Sequence, residues 1–101
     1  MRHRLRVTCR YPVVFESQGH VAEGHVVNLS LLGCAIEIQD CCLYGVYLRL
    51  HVLLPDEAMR IDLCKVRWLR TDQLGVEFLS VPDHRKYLMG RIIRQEVQAT
   101  S

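Results

Sequence analysis

The chain has 101 residues, enough for one compact domain. Half of them are hydrophobic, so a single core can form. With 13 Lys+Arg against 11 Asp+Glu, the net charge is only +2, which argues against a general nucleic-acid binder, and no DNA partner is expected. The excess is unevenly placed: Arg2, Arg4, Arg6 and Arg10 come before the first acidic residue, Glu16. A short basic arm of this kind suits a compact anionic partner, or solubility alone.

In chain order, residues 1–9 read as that arm. Tyr11, Val13 and Phe15 share one phase over 10–17, the mark of a half-buried strand, with Pro12 placing it at an edge or near its own start. Gln18-Gly19 signals a turn. A second strand is expected over 21–27, with Gly24 marking a bulge or a close approach. Cys34, Ile36 and Ile38 alternate with Ala35, Glu37 and Gln39 in a third. After a loop-like stretch over 40–46, Leu48, Leu50, Val52 and Leu54 form a fourth, ended by Pro55-Asp56.

The fifth run carries a defect. Met59, Ile61 and Leu63 hold one phase, and Cys64, Val66 and Trp68 hold the other. A one-residue slip flips every side chain across a sheet, so a β-bulge or a change of sheet is expected at Leu63-Cys64. Thr71-Asp72-Gln73 turns the chain into a last strand with Leu74, Val76 and Phe78. From Pro82 the period changes. Leu88, Met89, Ile92, Ile93 and Val97 recur at helical spacing, with Asp83 as the expected N-cap, so 82–98 reads as an amphipathic helix packed as a lid on the open end of a barrel. The expected fold is mainly β: a six-stranded antiparallel β-barrel, 10–81, with a C-terminal α-helix.

Five cysteines are present, an odd number. Cys34 and Cys64 fall on apolar phases and read as reduced core residues. Cys41 and Cys42 are adjacent, which is poor spacing for zinc, and no histidine pairs with them, so no metal or other cofactor is expected. No apolar run is long enough to span a membrane or to serve as a secretion signal, and the cytoplasm is the expected compartment. No nucleophile–base pair or carboxylate pair is discernible, so an enzyme is not expected.

Between the second and third strands lies Asn28-Leu29-Ser30-Leu31-Leu32-Gly33. Asn28 supplies donors and an acceptor, Ser30 a hydroxyl, and Gly33 either φ > 0 or room for a close approach. Alone, this fits a polar hairpin turn as well as a binding site. With the arm it resembles the PilZ domain family, receptors for the bacterial second messenger cyclic di-GMP. Arg2-His3-Arg4-Leu5-Arg6 is similar to that family's Arg-x-x-x-Arg arm, and 28–33 to its (Asp/Asn)-x-Ser-x-x-Gly motif. Tyr11-Pro12-Val13, Lys65-Val66-Arg67-Trp68 and Leu74-Gly75-Val76-Glu77-Phe78 resemble its first strand and final hairpin. A second Arg-x-x-x-Arg, Arg6 to Arg10, also exists. Arg2 and Arg6 are preferred because Arg10 abuts the strand.

The resemblance implies a receptor that binds cyclic di-GMP, as one molecule or an intercalated pair, through Arg2, Arg6, Asn28, Ser30 and Gly33, changes conformation, and relays the signal to a protein effector. Arginine suits both halves of such a ligand, since its fork binds phosphate and reads guanine and its flat face stacks on a base. Asn28 and Ser30 are expected to bond a guanine edge, and Trp68 to be a core or rim aromatic. The alternative is a protein-interaction module of the same fold that needs no ligand.

Overall fold

A computed structural model describes residues 6–39 and 45–100, without the side chains of 99 and 100. Six strands, β1 (Val7–Ser17), β2 (His20–Leu29), β3 (Gly33–Glu37), β4 (Tyr47–Leu53), β5 (Ala58–Leu69) and β6 (Gln73–Ser80), precede one helix, α1 (Asp83–Thr100). All pairings are antiparallel, and the strands close into a barrel in the order β1-β2-β3-β6-β5-β4. Closure gives each strand a neighbour on both sides.

Alternation fills the barrel as the sequence implies. Val13, Phe15, Val26, Ile36, Leu48, Leu50, Val52, Ile61, Leu74 and Val76 are buried in one cluster. Met89, Ile92 and Ile93 of α1 join that cluster, so the apolar stripe of the helix completes the core. Pro82 is the true N-cap: its carbonyl accepts from Arg85 N at 2.9 Å and Lys86 N at 3.1 Å. Asp83 therefore stands one position further on than expected, as the first helical residue, where its charge still favours the helix N-terminus. Gln18 and Gly19, at φ 51° and 82°, turn β1 into β2. Two left-handed residues form the turn whose twist matches a tight hairpin.

The strand boundaries differ from expectation at the basic arm. β1 starts at Val7 rather than Arg10, because Val7 is buried and pairs with Leu29. Beyond Gly24 a side chain would meet the Glu37 carbonyl, so this glycine marks a close approach of β3 and no bulge.

Register shifts decide which side chains reach the outer face. At Leu63/Cys64 the β5–β6 register shifts where the apolar phase slips. Of the four further shifts, two bear on the site and have no sequence signal. Val26 pairs with Ile36 and Asn28 with Ala35, so Val27 is the extra residue of a bulge on β2. Val66 pairs with Val76 and Trp68 with Gly75, so Arg67 is the extra residue on β5. Each bulge places two successive residues against one partner.

Candidate functional site

The β2–β3 connection is held by its own serine. Ser30 N donates to Gly33 O at 2.9 Å, and Ser30 Oγ donates to the same carbonyl at 3.2 Å. Ser30 Oγ also accepts from Leu32 N at 3.2 Å and Gly33 N at 3.3 Å. The side chain is buried, so these bonds meet its hydrogen-bonding needs within the turn. Gly33 does not adopt positive φ: among the described residues only Gln18 and Gly19 do. It is required instead because a Cβ would drive into the Val76 carbonyl of β6. The turn therefore sits flush against β6, where Phe78 N donates to Leu32 O at 2.8 Å.

Beside this turn lies a cleft of about 330 Å³, lined by Arg6, Ser30, Gly33, Arg67, Trp68 and Glu77 among others. Asn28 joins it through Arg6, whose Nη1 donates to Asn28 Oδ1 at 2.7 Å. The bulge at Val27 makes this possible. It sends Leu29 into the core and leaves Asn28 half-exposed at the rim. Of the five expected site residues, Arg6, Asn28, Ser30 and Gly33 converge here, and Arg2 lies outside the described residues. Arg10 points to a different cleft, where its Nη2 lies 3.0 Å from Glu37 Oε1. Of the two Arg-x-x-x-Arg pairs, only the Arg2/Arg6 one has its second arginine at the turn.

The family match covers residues 1–95 and is to the PilZ domain. The chain belongs to the PilZ domain family. Its fold is similar to the PilZ domain of Escherichia coli YcgR solved with c-di-GMP, at TM-score 0.83 and 15% identity over 98% of this chain and 93% of that one. It is also similar to the PilZ domain of CeSA from a cellulose-synthesizing bacterium, at TM-score 0.71 and 15% identity over 89% and 95%. The Bacillus subtilis inhibitor of motility MotI/DgrA matches at TM-score 0.75 and 21% identity over 97% of this chain and 52% of its own, so this chain spans about half the length of that protein. No curated protein matches. The PilZ domain is a binding domain.

Sequence reasoning missed two residues of this PilZ cleft, Arg67 and Glu77. Arg67 Nε donates to Glu77 Oε1 at 2.6 Å, and Arg67 Nη2 donates to the same oxygen. Both residues fall on outward positions of one hairpin, which was a usable signal. What hid Arg67 beside Trp68 was the bulge, because strict alternation sends neighbours to opposite faces. Trp68 is a rim residue, 38% exposed. It lies against the bare backbone of Gly75, where any Cβ would collide with the indole, and the Arg70 guanidinium stacks 4.8 Å from its ring centre. Leu31 and Leu32, 51% and 46% exposed, add apolar surface to the turn.

Cys34 lines the cleft but its side chain is buried. Burial pushes Cys34 well up, with Cys64 and Cys9 adding to it and Arg6 opposing. Cys9, Cys34 and Cys64 are free thiols, and Cys41 and Cys42 lie outside the described residues. Among the described residues no three metal-ligating side chains cluster, and no helix is long and apolar enough to cross a membrane.

Proposed function

We propose that this PilZ domain is a receptor for cyclic di-GMP that binds it at the cleft beside Ser30–Gly33 and passes the signal to a protein effector. One observation carries the reading: Arg6 of the arm is bonded to Asn28 of the turn, 22 residues away, so the halves of the two motifs already share one site. Arg6 and Arg2 take the phosphates with bidentate forks, and their flat faces stack on guanine. Ser30 acts by holding the turn, and Gly33 by letting that turn seat on β6. Trp68 supplies a flat face at the rim. Binding by c-di-GMP-associated YcgR, of the same fold, supports the ligand class, and the motility inhibitor MotI supports an effector role. Binding changes the receptor's conformation as the phosphates neutralise the arginines of the arm.

Calorimetry with cyclic di-GMP tests this. The wild type binds, Arg6→Ala loses on the order of 2 kcal/mol or more, and Arg10→Ala loses little. If the wild type does not bind at low salt, the receptor reading fails and the ligand-independent interaction module replaces it.

A further inference from the structure

We propose that Glu77 is a specificity-determining residue of the cleft, reading the guanine edge of a cyclic dinucleotide. The assignment rests on the receptor reading above and names a residue outside both of its motifs.

A guanine edge presents two adjacent donors, the ring N–H and the 2-amino group. The natural complement is a pair of acceptor oxygens, which a carboxylate supplies and an amide or hydroxyl does not. Neither of the two motif residues expected to read that edge supplies such a pair here. Asn28 has a single carbonyl oxygen, and it already accepts from Arg6. The Ser30 hydroxyl is bonded within its own turn. Glu77 is the one carboxylate lining the cleft among the described residues.

Its surroundings leave it available. Glu77 pairs in register with Gly33, so no side chain overhangs it from β3. On the β5 side its register partner is Lys65, whose Nζ lies over the Tyr47 ring at 6.0 Å. Arg67 places both of its bonds on Oε1, and no hydrogen bond reaches Oε2 among the described residues. A carboxylate accepts at about four lone-pair sites: the two Arg67 bonds take those of Oε1 and leave both of Oε2, so a guanine bonds Oε2 first and reaches Oε1 with its second donor as one Arg67 bond gives way. The Arg67 guanidinium also offsets the repulsion that a bare carboxylate would exert on the ligand phosphates. The side chain is 40% exposed, so it is open to a ligand.

Calorimetry on the wild type, Glu77→Gln and Arg67→Gln with cyclic di-GMP and cyclic di-IMP separates the outcomes. Cyclic di-IMP differs only in lacking the 2-amino group. The wild type prefers cyclic di-GMP by about tenfold or more. Glu77→Gln binds cyclic di-GMP about tenfold more weakly and cyclic di-IMP nearly unchanged, so the preference collapses. Arg67→Gln keeps the preference, since both carboxylate oxygens remain. The assignment is overturned if Glu77→Gln keeps the guanine preference, or if Arg67→Gln loses it as completely. A wild type that binds neither dinucleotide sinks the receptor reading itself. Binding with an undiminished preference in Glu77→Gln sinks only the role of Glu77. Glu77→Ala, which also removes the carboxylate, keeps the question answerable if Glu77→Gln does not fold.

Discussion

The outer face around the β2–β3 turn and the barrel end closed by α1 are built on opposite principles. At the closed end, Met89, Ile92 and Ile93 enter the same cluster as the strand residues, and apolar burial does the holding. Polar ties lie at its margin, with Tyr11 Oη donating to Glu96, Arg85 to the Arg60 carbonyl and Arg91 to Glu57 at 3.4 Å, and burial followed by the Glu96 bond pushes the Tyr11 hydroxyl up. At the outer face, bonds to Ser30 Oγ, an Asn28–Arg6 bond and the absent side chains of Gly33 and Gly75 set the shape. The difference teaches that a binding face can be kept polar and open because stability is supplied elsewhere. Arginines gathered at one surface repel one another, and a core that depended on that surface would be weakened by its function.

The largest effect should come from breaking the closed end. Met89 is fully buried, and Met89→Ala removes its packing and leaves a cavity, costing about 2–5 kcal/mol. Urea unfolding measures this as a lower midpoint. If the two regions are as separate as their construction implies, cyclic di-GMP affinity of the folded variant stays within about twofold of the wild type. An affinity that fell along with the midpoint would show that the helix and the cleft act as one unit.

Ser30→Ala probes the other region and should cost less, about 2 kcal/mol, because it leaves the Leu32 and Gly33 amides without their shared acceptor. Here stability and affinity fall together, since the same bonds hold the turn and the cleft wall. Urea midpoints and calorimetry on one preparation check this. Loss of affinity without loss of stability would mean that the hydroxyl touches ligand directly.

The sequence made these two regions legible to different degrees. The core was readable because strict alternation at 34–38 and 48–54 has one physical cause, a half-buried strand, and the phase slip at Leu63-Cys64 called for a bulge or a change of sheet, of which the register shift is the outcome. The motif residues were readable as residue types, but their jobs were not. Gly33 looked like a flexible or ligand-facing position, and only the Val76 carbonyl shows why it must be bare. Val7 looked like part of a charged arm, since Arg6 and Arg10 flank it, and only its partner Leu29 draws it into β1. The bulges at Val27 and Arg67 are set by how strands pair around the closed barrel. That is a property of the whole sheet, and no local stretch encodes it. The Tyr11–Glu96 tie, 85 residues apart in sequence, has no local signature either.

The smallest effect concerns pH, and it tests whether the thiols belong to the core or to the binding face. Burial, with a smaller push from Asp62, raises Cys64 from the usual 9.0 to about 12, and burial raises Cys9 to about 11. A thiol held protonated in the folded chain contributes its full stability below the unfolded value near 9 and loses it as the pH climbs toward the folded value. Cys64 alone should therefore cost about 1.4 kcal/mol of stability between pH 8 and pH 10. Lysine and tyrosine titrate in the same window, so the wild-type slope does not isolate the thiol. Cys64→Ala does. Its packing loss is a constant offset, whereas the thiol's contribution changes with pH. The gap in unfolding free energy between wild type and Cys64→Ala should be steady from pH 6 to 8 and shift against the wild type by about 1.4 kcal/mol at pH 10. Parallel curves across the whole range would mean that the Cys64 thiol is not desolvated, and that water reaches the barrel interior between β4, β5 and β6.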